Sequence, residues 1–163
     1  MINLTKSFEK ANIFPSINLE KHGKEEKELG YTITIKCECD QKILNELAVQ
    51  QNCDYENLLW DDDGALKRHF LKQLIFAREF PEHTLKIDLD MVSERFMYFH
   101  KVNLKSFKAE PVFGKAVKLE FKAYLNPSPT EATFLNNAAL MSWVVVSIEP
   151  PENTDQNILE FSE

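Results

Sequence analysis

The chain is poor in glycine, poor in cysteine and, past residue 125, devoid of positive charge. Four glycines in 163 residues leave no glycine-rich loop to cradle a phosphate with backbone N–H groups. The three cysteines, Cys37, Cys39 and Cys53, are odd in number, and no secretory segment is read at the N-terminus. A disulfide framework is therefore not expected, and a reducing cytoplasm is. No apolar run approaches the roughly 18 residues needed to span a bilayer. His22, His69, His83 and His100 make no His-x-x-x-His spacing, and no Gly-x-Ser-x-Gly or catalytic-cysteine context surrounds a nucleophile. The expectation is a soluble protein that is not an enzyme and needs no metal or cofactor.

What is present is an uneven charge. Residues 1–94 hold 12 Lys/Arg against 18 Asp/Glu, and residues 126–163 hold 6 acids. Against a net charge of −7, the stretch Arg95–Tyr124 holds seven cations and only Glu110 and Glu120. Phe96, Tyr98, Phe99, Phe107, Phe113, Phe121 and Tyr124 are interleaved with those cations. Cations that follow a phosphate backbone, mixed with rings that stack on bases, are what single-stranded nucleic acid binding requires. A globally acidic protein does not readily coat duplex DNA, so any such contact is local. The competing structural reading is a sheet with a wet, lysine-rich face and a phenylalanine core.

Length and a hydrophobic content of 44% suit one domain over residues 1–150, followed by an acidic tail over 151–163. Residues 1–30 space their apolar side chains too irregularly to define an element, and Glu20 to Glu28 reads as a charged loop. Tyr31 to Cys39 alternates at period two and predicts a half-buried strand, with Cys37 and Cys39 on its inner side. Asp40 is placed to cap a helix through Ile43, Leu44 and Leu47. Leu66, Phe70, Leu74 and Ala77 form a helical stripe over Ala65–Phe80, ended by Pro81. Thr84 to Met91 alternates again. A meander follows, with strands in Arg95–Leu104, Ser106–Val112 and Ala116–Leu125 and a turn at Phe113-Gly114-Lys115. Thr130 is placed to cap a helix over Glu131–Leu140, and Trp143–Ile148 closes as a strand. The fold class is α+β, a mostly antiparallel sheet with two or three helices.

Within the basic stretch, Lys118, Lys122 and Tyr124 share the outer face of one strand, and Lys105 and Lys108 are added to them from earlier in the meander. These five are the candidate nucleic-acid contacts. Asp61, Asp62 and Asp63, with Asp88 and Asp90, are the only carboxylate groupings that suggest a metal-dependent nuclease. Asp-Asp-Asp-Gly is equally good turn and capping chemistry.

The tail Gln156-Asn157-Ile158-Leu159-Glu160-Phe161 resembles the Gln-x-x-Leu-x-Phe peptide with which bacterial DNA-metabolism proteins dock on the sliding clamp. The match is Gln156, Leu159 and Phe161, an extended peptide whose apolar anchors enter a groove. In composition the tail is also similar to the acidic tails of bacterial single-strand binding proteins, without their terminal Pro-Phe. Asn12-Ile13-Phe14-Pro15-Ser16, continuing to Glu20-Lys21-His22-Gly23, resembles the start of a family of small uncharacterised proteins of tailed phages and prophages. Val117 to Leu125 with Pro127, and Val144 to Pro151, resemble the end of the same family. That resemblance implies a phage gene expressed in the host cytoplasm and carries no reaction with it. The expected function is thus a non-enzymatic accessory protein of phage DNA metabolism. The alternatives are an acidic inhibitor or adaptor that engages a basic host factor and, after it, a metal-dependent nuclease.

Overall fold

The alternation of Tyr31 to Cys39 belongs to a longer strand in the computed structural model, which describes residues 3–22, 26–48, 53–67, 71–90 and 95–151. The strands are β1 (Lys6–His22), β2 (Glu26–Asp40), β3 (Leu74–Phe76), β4 (Phe80–Asp90), β5 (Arg95–Val112), β6 (Ala116–Leu125) and β7 (Val144–Glu149). Every pairing is antiparallel. The order β5-β4-β7-β1-β2-β6 returns to β5 through a β5–β6 ladder, so six strands close into a barrel and β3 lies outside the ring, on β5. Closure leaves few unpaired strand edges. The expected antiparallel sheet is present, and its closure is what the sequence did not convey.

Side chains facing the barrel axis form one apolar core that includes Ile33, Ile35, Leu85, Ile87, Leu119, Val146 and Ile148. A line of rings crosses it: Phe8 to Phe121 at 5.8 Å, Phe121 stacked on Phe107 at 5.0 Å, and Phe107 edge-on to Phe80 at 5.5 Å. Two short helices, α1 (Ile43–Leu47) and α2 (Tyr55–Leu59), lie at the end of the barrel that holds the β5–β6 turn. There the Trp60 indole N–H donates to the Val112 carbonyl at 2.8 Å, and the Gly114 N–H donates to the Gly64 carbonyl at 2.9 Å. A Cβ on Gly64 would stand 3.2 Å from the Gly114 backbone, at a φ of +83°, so this docked turn requires glycine. Helix α3 (Pro129–Ala139) follows β6 at the opposite end, with Leu135 and Ala138 buried and Phe134 against Phe99 at 6.2 Å.

Bulges that interrupt the ladder bend long strands and sharpen their twist around a barrel. Lys10, Glu82, Lys101 and Ser106 have positive φ and fall at shifts in the β1–β7, β4–β5 and β5–β6 registers. None is glycine, so each costs on the order of 1 kcal/mol of backbone strain. These bulges explain two departures from expectation. Within Lys6–His22 the irregular spacing is that of a strand whose inward phase jumps from Phe8 to Ala11 across Lys10. The two strands expected either side of Lys105 are one 18-residue strand, shifted in phase at Lys101 and Ser106.

The helix expected over Ala65–Phe80 is absent from the described part of that range. Leu66 bridges to Trp60, Leu74–Phe76 pairs with Ala109, Lys108 and Phe107, and Phe80 opens β4. Here backbone left unpaired on the long β5 outweighs helical spacing, and Ile75, 73% exposed between half-buried Leu74 and Phe76, has the alternation of an edge strand. Pro81 lies within β4. Part of the loop expected over Glu20–Glu28 is paired backbone too, with Glu20 opposite Glu28 and His22 opposite Glu26. Capping differs in detail. The cap of α3 is Ser128, in a reciprocal capping box with Glu131, and the Asp40 carboxylate accepts from the Lys42 N–H ahead of α1.

Candidate nucleic-acid interface

The ladder registers fix what surrounds each candidate lysine. Across the outer wall β2-β6-β5, consecutive rows read Glu38–Lys118–Glu110, Lys36–Glu120–Lys108, Thr34–Lys122–Lys105 and Thr32–Tyr124–Asn103. Lys118 thus stands between two carboxylates, and Lys108 faces Glu120, which Lys36 approaches to 3.5 Å. The last two rows hold no acid. There Lys105 and Lys122 oppose each other directly. Among the described residues none of Lys105, Lys108, Lys118 and Lys122 lies within ion-pair distance of a carboxylate, so the rows differ in which side chains stand opposite. Lys105 rests over the Tyr124 ring at 5.4 Å. The five candidate contacts lie on one outer surface, which divides into a part of mixed charge and a cationic part.

Two hollows follow the same division. An open trough of about 450 Å³ lies over the mixed rows, lined by Lys36, Lys108 and Lys118 and by Glu38, Glu110 and Glu120. A smaller recess of about 160 Å³ lies beside the cationic rows, lined by Gly30, Lys101, Asn103, Tyr124 and Asn126. The Asn103 side-chain oxygen accepts from the Glu82 N–H at 3.0 Å, which ties down the β4 bulge beneath this recess.

The interleaved rings do not act as one set. Phe99, Phe107 and Phe121 are buried in the barrel, which removes them from any stacking surface. Phe113 projects from the β5–β6 turn. The rings on the outer wall are Tyr124 and, on the first half of β5, Phe96 and Tyr98, each 41% exposed. Lys86 of β4 was not expected here, yet its ammonium lies 4.5 Å from the Phe96 centroid and 5.5 Å from that of Tyr98. Tyr98 runs parallel to His100 at 6.3 Å, and His100 Nδ1 bonds the Thr84 hydroxyl at 3.2 Å. The alternation Phe96, Tyr98, His100 was visible in the sequence. Lys86 needed the β4–β5 register, which sets it opposite Tyr98.

The remaining reactive groups have structural work. The Asp61 carboxylate accepts from the Asp63 and Ala65 N–H groups at 2.9 Å each, and so shapes the turn that docks on Gly114. Among the described residues no three of His, Cys, Asp and Glu stand close enough to share a metal ion. Cys37 is buried and Cys39 half-buried. The hydrogen bond with Cys39, then burial, pushes the Cys37 thiol up, while the same bond and then nearby Lys6 draw Cys39 down. The Glu56 carboxylate, 3.0 Å away, holds Lys115 above the ordinary lysine range. His83 is buried, takes the Leu4 N–H on Nε2 at 3.0 Å and contacts the Pro81 carbonyl through Nδ1 at 2.9 Å. No helix among the described residues is long and apolar enough to cross a membrane. Gln156, Leu159 and Phe161 lie outside the described residues. Comparison with family models, with curated proteins and with solved structures found no match for this chain.

Proposed function

We propose that this protein binds single-stranded nucleic acid across Lys105, Lys122 and Tyr124, as a non-enzymatic accessory factor of phage DNA metabolism in the host cytoplasm. One observation carries the reading: Lys105 and Lys122 face each other across the β5–β6 ladder with no acid in their row. Like charges directly opposed on a sheet cost stability, and a polyanion laid between them reverses the sign of that cost. Tyr124 beside them offers a face on which a base stacks once Lys105 moves from the ring to a phosphate. Lys108 and Lys118 fit a phosphate contact less well, because carboxylates stand opposite them. In this reading the peptide motif at Gln156, Leu159 and Phe161 recruits a host replication partner, the sliding clamp by its sequence.

Fluorescence anisotropy with a labelled oligothymidylate at low salt tests the proposal. The intact protein is expected to bind, with affinity falling as salt rises. In Lys105→Gln/Lys122→Gln the slope of log K against log salt is expected to shrink by about 1.4, two single-strand contacts at roughly 0.7 each. Absence of binding by the intact protein at low salt sinks the assignment.

A further inference from the structure

Phe96 and Tyr98 are large rings left exposed on a protein that has buried its other strand phenylalanines in the same β5 and β6. They meet edge to face at 5.7 Å, and Lys86 lies over both. Two such rings exposed side by side form a contiguous apolar patch, which is what a stacking surface needs. They also have a direction. With His100 they occupy the outer face of β5, and beyond the Lys101 bulge that face continues through Asn103 to Lys105, with Tyr124 and Lys122 alongside. Nine residues separate Phe96 from Lys105, roughly 30 Å of strand at about 3.3 Å per residue. Lys101 and the recess by Tyr124 lie between the two ends.

From this alignment we infer that Phe96 and Tyr98, with Lys86 and His100, form a second base-stacking platform, so that one nucleic-acid strand runs along β5 from Phe96 to Lys105. The inference rests on the proposed function and adds to it where the strand goes and how much of it is covered. The occupant is a single strand because the platform exposes ring surface beside Lys86 and because its continuation carries Lys101, Lys105 and Lys122. A duplex would bury its bases away from the rings. Lys86 plays the part assigned to Lys105: seated on the rings in the free protein, it moves to a phosphate when a base takes its place. Single-strand sites of about 4–16 nucleotides are usual for small barrels, and a track of this length belongs near the lower end of that range.

A length series separates the inference from the function it builds on. Oligothymidylates from about 4 to about 16 nucleotides are titrated into the wild-type protein, Phe96→Ala/Tyr98→Ala, Phe96→Leu/Tyr98→Phe and Lys105→Gln/Lys122→Gln. Wild-type affinity is expected to climb with length until both platforms are spanned and then to level. The alanine pair is expected to level at a shorter length, with affinity for the longer oligonucleotides down by about tenfold or more. Phe96→Leu/Tyr98→Phe, which keeps one ring, is expected to fall between the two, and circular dichroism checks that each variant keeps its barrel. If the alanine pair binds every length as the wild type does, while the lysine pair loses affinity, this inference is overturned and the proposed function stands. If the wild type binds no length, both fall.

Discussion

Lys105 and Lys122 occupy the same outer wall as Lys108 and Lys118, on the same two strands and within a few residues of them. They differ in what the neighbouring strands place opposite. Lys118 has Glu38 on one side and Glu110 on the other, and Lys108 has Glu120, whereas Lys105 and Lys122 have each other. The wall therefore contains a lattice of alternating charge, of the kind expected where charge serves solubility and register, and beside it a pair that a stability-driven sheet would avoid. A count of lysines along the chain treats the two groups alike. Only the cross-strand neighbour tells them apart, because at these separations a local acid cancels most of what a surface lysine offers a distant phosphate.

Neutralising each pair in turn is the strongest way to break that contrast. Lys105→Gln/Lys122→Gln is expected to weaken oligonucleotide binding by roughly 30-fold at low salt, and Lys108→Gln/Lys118→Gln by about threefold or less. Equal losses in the two double variants would mean that the wall acts as a diffuse cationic surface and that the division into rows is irrelevant. A larger loss in the second would transfer the site to the trough.

Stability gives a smaller effect of opposite sign, and it needs no ligand. Replacing Lys122 with Glu converts a repulsive cross-strand pair into an attractive one and is expected to stabilise the barrel by about 0.5 kcal/mol. Replacing Lys118 with Glu places a third acid between two others and is expected to destabilise it by about as much. Urea denaturation at low and high salt reads both, and both shifts should shrink as salt screens them. If Lys122→Glu destabilises instead, the Lys105–Lys122 pair is not strained, and the observation carrying the proposed function is lost.

How far this contrast was legible beforehand depends on which ladder one asks about. Along β6, alternation alone placed Lys118, Lys122 and Tyr124 outward and Leu119, Phe121 and Ala123 inward, and the structure agrees. β2, β7, α1, α3 and the turn at Phe113-Gly114-Lys115 were legible for the same reason, since each carries its own period or cap. Along β5 the rule failed in a specific way. Bulges at Lys101 and Ser106 each shift the phase by one residue, so no single alternation puts Phe99, Val102, Leu104 and Phe107 all inside. β1 was lost to the bulge at Lys10, and β3 was mistaken for helix because Leu66 and Leu74 satisfy a helical stripe as readily as their actual contacts. Barrel closure depends on pairs such as Lys6 with Ile148, which leave no mark on either segment alone. The row that matters, Thr34–Lys122–Lys105, is drawn from three strands, so its lack of acid becomes visible only once those strands are in register.

Lys115 supplies the smallest effect and the sharpest control, because it is a lysine of the same basic stretch with a carboxylate already in hand. Its ammonium bonds Glu56 at 3.0 Å and ties the β5–β6 turn to α2. That bond, opposed in part by desolvation, raises its pKa above the ordinary value. A raised pKa in the folded state means that the stabilisation is fully present below the ordinary lysine pKa and is lost as pH climbs through the raised one. Thermal melts from about pH 9 to about pH 11.5 should therefore fall more steeply for wild type than for Lys115→Ala, in which the contact is missing at every pH. The site is at the surface, so the difference in melting temperature is expected to be small. Oligonucleotide binding at neutral pH should be the same in both, since a lysine held by its own acid has little left for phosphate. If Lys115→Ala weakens binding as much as loss of Lys105 and Lys122 does, pairing with a carboxylate is not what silences a lysine on this protein, and the distinction between the two parts of the wall has to be abandoned.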